Sequence, residues 1–256
     1  MASIDRLLDI MAQLRDPQNG CPWDRQQTYQ TIAPHTIEET YEVVDAIERR
    51  DFADLCDELG DLLFQIVFYA QLAREEKRFD FDDVVNAICD KLERRHPHVF
   101  ADRHFASAEE QTAHWEELKK SEREATKSTS SELDGIARTL PALSLARKLQ
   151  SRAARVGFDW PNAQGVFDKL HEEIGELTSA WNDTAQRGEE LGDLLFTCVN
   201  LCRHADEDPE ALLRQANRKF EQRFRAMEEQ VHTAGTSLKA CNPEQLDAYW
   251  EQVKAQ

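Results

Sequence analysis

Glycine and proline are scarce in this chain, nine and eight of 256 residues. Ala, Leu, Glu, Arg and Gln, which lose little rotamer freedom in a helix, are abundant instead, so helices are favoured over sheets. No apolar run approaches the roughly twenty residues of a membrane span, and the first residues lack the apolar stretch of a signal peptide. A cytoplasmic protein without a membrane partner is therefore expected. Positive charge is also short: 31 Lys and Arg stand against 49 Asp and Glu, a net charge of −18. That balance excludes general affinity for nucleic acid or an anionic membrane surface. An anionic small substrate would need a local basic pocket or a bound cation. The six cysteines (21, 56, 89, 198, 202 and 241) contain no CxxC pair and no zinc-type spacing. Cys198 and Cys202 share a helix face within an apolar stripe and read as core thiols in a reducing compartment. No P-loop, Gly-rich phosphate cradle or nucleophile elbow is present.

What the chain does contain is an acidic pattern written twice. Glu172-Glu173-Ile174-Gly175-Glu176 precedes Glu190-Leu191-Gly192-Asp193-Leu194-Leu195-Phe196, and Glu38-Glu39-Thr40-Tyr41-Glu42 precedes Glu58-Leu59-Gly60-Asp61-Leu62-Leu63-Phe64. Downstream, Lys91-Leu92-Glu93-Arg94-Arg95 matches Lys219-Phe220-Glu221-Gln222-Arg223, and Trp115 to Lys119 matches Trp250 to Lys254. Four features recurring in one order indicate a duplication.

Apolar spacing predicts helices over 4–15, from about Thr36, over 52–74 and 81–95, and then over 143–154, 166–181, 189–205, 210–231 and 243–254. Thr36 and Glu39 fit a capping box, with Ile37, Thr40, Tyr41, Val44 and Ile47 as the apolar side of that helix. Asp16 to Asp24 reads as an irregular loop with an Asn-Gly turn signal. Ser121 to Gly135 is polar and lacks an apolar face, so it is the linker. The expected organisation is an N-terminal helical domain over 1–120, a linker over 121–139 and a C-terminal helical domain over 140–256.

Helix positions three and four apart are neighbours, about 5–6 Å between Cβ atoms. Glu173 with Glu176, and Glu190 with Asp193, therefore share faces, and an antiparallel pair joined across 182–188 would converge four carboxylates. Two charges about 5 Å apart at an effective dielectric near 20 repel by roughly 3 kcal/mol. Such a cluster holds protons or a cation, and oxygen-only ligands point to Mg²⁺ or Mn²⁺. The plainer reading is a solvated acidic face, because Glu39 and Glu42 fall nearly opposite the Ile37/Tyr41/Val44 stripe. Lys219 and Arg223, at i and i+4, can hold a polyphosphate or simply pair with acids on their own helix. Trp250 with Lys254 can stack a base and contact phosphate, or serve the core.

These motifs, with Cys21-Pro22-Trp23-Asp24, the segment 57–71, Lys91 to Phe100 and Val156 to Trp160, resemble the MazG family of all-α nucleoside triphosphate pyrophosphohydrolases over nearly the whole chain. The resemblance implies two tandem helical bundles, a homodimer, and Mg²⁺-dependent cleavage between the α and β phosphates to a nucleoside monophosphate and pyrophosphate. Glu173, Glu176, Glu190 and Asp193 would be metal ligands, and Lys169, Lys219, Arg223, Trp250 and Lys254 would contact nucleotide together with Glu173, Glu190 and Asp193. The first-half counterparts are Glu39, Glu42, Glu58 and Asp61, with Glu38, Lys91, Arg95, Trp115 and Lys119. Glu172 or Glu173 would orient or deprotonate the attacking water, while Lys219 and Arg223 stabilise the departing pyrophosphate. His35 stands at the repeat position of Lys169, and Tyr41 at that of Gly175; both differences favour the C-terminal half as the catalyst. Broad base tolerance is expected, with a nucleotide-pool or stress-response role.

Two other readings have sequence support. Glu93-x-x-His96 and Glu229-x-x-His232 have the spacing of a carboxylate-bridged di-iron bundle. Alternatively, the acidic faces are docking surfaces of a non-catalytic, regulatory helical protein.

Overall fold

The computed structural model describes residues 3–101, 106, 107, 110, 111, 118 and 131–255. It divides into two compact units, Met1–Lys119 and Lys120–Gln256. Trp115 and Lys119 lie outside the described residues, as do 121–130 of the polar stretch. Among the described residues every regular element is helical, and none of the helices is long and apolar enough to cross a membrane.

Unit 1 holds α1 (Ser3–Leu14), α2 (Pro22–Gln26), α3 (Tyr29–Arg49), α4 (Phe52–Glu75), α5 (Phe81–Arg95) and α6 (Pro97–Phe100). Helix α2 replaces part of the loop expected over 16–24, with Pro22 opening its first turn. Pro pre-sets a helical φ there and its missing N–H is one that the first turn leaves unbonded anyway. Helix α3 begins seven residues before Thr36. Its cap is Thr28, whose hydroxyl accepts from Thr31 N in a reciprocal capping box. Pro34 lies inside the helix and cannot donate to the preceding turn, which is why the sequence suggests a later start. Burial of Ile32 and the stacking of Tyr29 on Tyr69 draw the first turns onto α4. Thr36 is no cap: its hydroxyl bonds Ile32 O at 3.3 Å and Tyr69 OH at 2.8 Å. Arg50, in the left-handed region, ends α3, and the Asp51 carboxylate caps α4 by accepting from Ala53 N and Asp54 N.

Unit 2 holds α7 (Ala142–Arg155), α8 (Ala163–Ala180), α9 (Thr184–His204), α10 (Pro209–Thr233), a 3-10 turn (Leu238–Ala240) and α11 (Pro243–Lys254). Helix α9 starts five residues before Glu189 because Asp183 caps it, accepting from Ala185 N and Gln186 N. The α8–α9 connection is therefore shorter than 182–188. From the polar stretch, residues 131–140 form turns, and Arg152 Nη1 donates to Glu132 O at 3.3 Å.

The paired helices pack on a seam that the apolar pattern does not announce. In α3 the inward positions are Ile32, Thr36, Glu39, Val43 and Ala46; in α8 they are Val166, Leu170, Glu173, Leu177 and Ala180. Their partners run Leu55, Glu58, Leu62, Gln65, Tyr69 and Leu72 in α4, and Glu190, Leu194, Thr197 and Leu201 in α9. Each series advances by alternate steps of three and four, the spacing of a helix–helix seam. Carboxylates thus occupy a packing layer in both units. The side expected to face the core is the exposed one: Ile37 is 56% and Ile47 55% exposed, and Tyr41 lies beside them. Leu59 and Leu63, and their repeat partners Leu191 and Leu195, are exposed too. Cys198 belongs to that exposed stripe and is not a core thiol.

Candidate active site

Two triads of carboxylates converge: Glu39, Glu58 and Asp61 in unit 1, and Glu173, Glu190 and Asp193 in unit 2. Within each, one oxygen per residue lies within 4.8 Å of the other two. A cation of Mg²⁺ size, bound at about 2.1 Å, spans roughly 4.2 Å between opposite oxygens. Little inward movement would bring the three together. Glu42 and Glu176, expected as fourth ligands, stand outside the triads, because the seam turns positions 39 and 173 inward and leaves the next turn outside. They remain close enough to act electrostatically. Burial, then Glu176, Glu173 and Asp193, push the Glu190 carboxyl above its ordinary value; burial, then Asp61 and Glu42, do the same to Glu39.

Glu173 is 3% exposed, and its Oε2 is buried with no hydrogen-bond donor. An unpartnered carboxylate oxygen in a packing layer is costly, and a cation shared with Glu190 and Asp193 would supply the missing partner. That orphaned atom is the local evidence that the donor set fits a metal. The other oxygen, Oε1, is 2.7 Å from Lys169 Nζ, which also lies 2.7 Å from Glu172 Oε1. The Glu172 and Glu173 carboxylates hold the Lys169 ammonium well above its usual range. In unit 1 the corresponding contact is weaker: His35 Nδ1 lies 3.6 Å from Glu38 Oε2.

Hollows flank the second triad. A cavity of about 770 Å³ touches Lys169, Glu173 and Asp193 and extends to Phe158, Trp160 and Phe196, with Gln150, Thr197 and Asn200 in its wall. A second, of about 560 Å³, is bordered by Glu172, Gly175, Glu176 and Glu190. The turn that carries Phe158 and Trp160 is built for this place. Gly157 adopts a positive φ of 84°, which glycine tolerates best. Asp159 accepts from Arg203 Nη1 at 2.9 Å and lies 3.2 Å from His204 Nε2. Burial pushes the Asp159 carboxyl up, but the bonds from Arg203 and from Trp160 N more than offset this and hold it below its ordinary value. The Trp160 ring then rests on Gly165, where an added Cβ would come 2.8 Å from Cε3.

Unit 1 differs among the described residues at this level. By repeat position Phe68 stands for Asn200, and Phe68 with Met11 is fully buried in the unit's core. Val156 to Trp160 was singled out in the sequence as a motif without a place in the site, and Gln150 was not singled out.

The basic residues of the C-terminal helices are elsewhere. Lys219 and Arg223 on α10, and Trp250 and Lys254 on α11, do not line the cavity. Trp250 packs on Phe220, ring centroids 5.4 Å apart, beside the small core of Met227, Val231 and Val253. Lys254 pairs with Glu251 at 2.6 Å. Lys219 and Arg223 form no ion pair among the described residues, whereas Arg225 pairs with Glu221. Lys91 is exposed and Arg95 half-buried on α5. Neither Glu93 with His96 nor Glu229 with His232 joins a convergent ligand group among the described residues.

A family profile described as the MazG nucleotide pyrophosphohydrolase domain matches residues 27–100. The nucleoside triphosphate pyrophosphohydrolase of Escherichia coli K12 is 55% identical over 260 residues, covering 100% of this chain and 98% of that protein. The nucleoside triphosphate pyrophosphohydrolase/pyrophosphatase MazG of Thermotoga maritima is 45% identical over 250 residues, covering 98% and 95%. Among solved structures, a mazG-related protein from Thermotoga maritima is 30% identical, covers 45% of this chain and 98% of that one, and has a TM-score of 0.39.

Proposed function

The chain belongs to the MazG nucleotide pyrophosphohydrolase family, and on that premise we propose that it hydrolyses nucleoside triphosphates between the α and β phosphates. Water is consumed; a nucleoside monophosphate and pyrophosphate are released. The observation that carries this reading is the Glu173/Glu190/Asp193 triad at the edge of a cavity large enough for a nucleoside. A docking surface has no use for Glu173, which is almost wholly buried.

Glu173, Glu190 and Asp193 would hold Mg²⁺, with Mn²⁺ as a substitute. When bound, the cation neutralises phosphate charge and lowers the pKa of coordinated water. Of Glu172 and Glu173, Glu172 would orient and deprotonate the attacking water, a role supported by its lying outside the triad, bordering the smaller hollow and being exposed. Lys169 positions it by bonding Glu172 and Glu173 at once. Glu176 adds negative field beside Glu190. The unit 1 triad, without a lysine at position 35 and beside a filled core, is assigned a secondary role.

A second copy of the chain completes the site. Exposed apolar stripes on α3, α4, α8 and α9 are the kind of surface that oligomers cover. Lys219 and Arg223, unpaired in one copy, would reach the triphosphate from the partner and stabilise the leaving pyrophosphate, with Trp250 and Lys254 alongside. Sedimentation equilibrium should return twice the chain mass; a monomer at micromolar concentration refutes this arrangement.

The reaction itself is tested with a panel of canonical and altered ribo- and deoxyribonucleoside triphosphates and Mg²⁺, products separated by chromatography. Monophosphate and pyrophosphate are expected across the bases, as suits a pool-cleaning or stress-response enzyme. Orthophosphate and diphosphate as products would refute the cleavage position.

A further inference from the structure

We propose that the 770 Å³ cavity of unit 2 is the base subsite, and that Gln150 selects triphosphates whose base carries an N–H donor on its buried edge. This rests on the reading above that the chain takes nucleoside triphosphates, and it names how the base is held.

The cavity is continuous with the reacting centre, since Glu173 and Asp193 belong to both. A triphosphate held at those carboxylates therefore has its nucleoside end beside Trp160, Phe158 and Phe196. All three rings are at least two-fifths exposed in the chain, offering flat apolar faces of the kind on which bases stack. The polar wall is more discriminating. Gln150 is 7% exposed, and its Nε2 donates to Phe196 O at 2.8 Å. That bond sets the amide's orientation, so the other atom, Oε1, is an acceptor; it is buried and has no donor.

Buried amide oxygens are rarely left unpaired without a reason. Adenine and cytosine offer an exocyclic amino group, guanine adds a ring N–H, and uracil and thymine have a ring N–H. One acceptor is thus compatible with every canonical base yet rejects a base with no donor. In unit 1 the counterpart region packs Phe68 and Met11, and its own buried amide acceptor without a donor is Gln65 Oε1, at the repeat position of Thr197.

The test is equilibrium dialysis of the full-length protein with Mg²⁺ and two non-hydrolysable ligands. One is the α,β-methylene analogue of ATP; the other is the same analogue of purine riboside triphosphate, which lacks the exocyclic amino group. Wild type should bind the ATP analogue about tenfold more tightly. In Gln150→Leu the preference should fall to about one. Because the ratio compares two ligands on one protein, a partly misfolded fraction does not alter it. Trp160→Ala should weaken both ligands by about tenfold or more. A wild-type ratio of one, or a ratio retained in Gln150→Leu, overturns the Gln150 assignment. Unchanged affinity in Trp160→Ala, or no binding of either ligand by wild type, overturns the subsite. If the expected binding is found but ATP yields no pyrophosphate, the hydrolytic reading fails and the subsite stands.

Discussion

Glu190→Gln is expected to lower turnover by about 10³-fold, while Glu58→Gln leaves it within about threefold of wild type. A bound cation contributes several kcal/mol of charge stabilisation in the transition state, and about 4 kcal/mol corresponds to three orders of magnitude. Glutamine keeps the shape of Glu190 and removes the charge, so the loss reads the charge itself. The variant should also melt higher than wild type in chelator. Glu190 is crowded by Glu176, Glu173 and Asp193, and burial first, then these charges, raise its carboxyl above the ordinary value. Better stability with lost activity is the usual signature of a strained functional cluster. Steady-state kinetics on both variants, with thermal melts in EDTA, check the prediction. A dead Glu58→Gln beside an active Glu190→Gln would move the catalytic assignment to unit 1.

The second large effect is on removal of the cation. EDTA should abolish turnover, and Mg²⁺ in excess should restore it, with Mn²⁺ as an effective replacement. Thermal stability should follow. A ligand at about one hundred times its Kd stabilises by about 2.7 kcal/mol, a rise of several degrees for a domain of this size. The rise should shrink in Glu173→Gln, which removes one charge from the triad and alters the buried oxygen that lacks a donor. Turnover that persists in chelator would overturn the metal reading, whatever the melts do.

Much of the architecture was legible in the order of residues. Helix propensity, turn residues and 3.6-residue periodicity locate the long helices to within a few positions, and where they miss, a local cap accounts for it. Thr28 and Asp183 start α3 and α9 early, with hydroxyl and carboxylate acceptors that a search for apolar periodicity does not weigh. The duplicated acidic pattern likewise identified which carboxylates to follow, because a solvated surface has no reason to repeat its spacing.

Apolar side-chain count, by contrast, misjudged the facing of α3. Ile37, Tyr41 and Ile47 look like a core stripe, yet the seam runs through Ile32, Glu39, Val43 and Ala46. A helix that packs on one neighbour and exposes apolar residues on another side has two candidate faces, and hydrophobicity alone does not rank them. The same ambiguity made Cys198 look like a core thiol.

By itself, then, the sequence determined an all-helical duplicated protein, its acidic pairs and its likeness to a pyrophosphohydrolase family, since these depend on residue type and short-range spacing. Tertiary structure decided three further things. It turned Glu173 inward and left one of its oxygens without a donor, left Glu176 outside the group whose oxygens lie within 4.8 Å of one another, and placed a cavity beside the unit 2 triad. Each of these depends on which faces of distant helices meet. Packing between residues far apart in the chain fixes that choice, and local spacing carries no record of it.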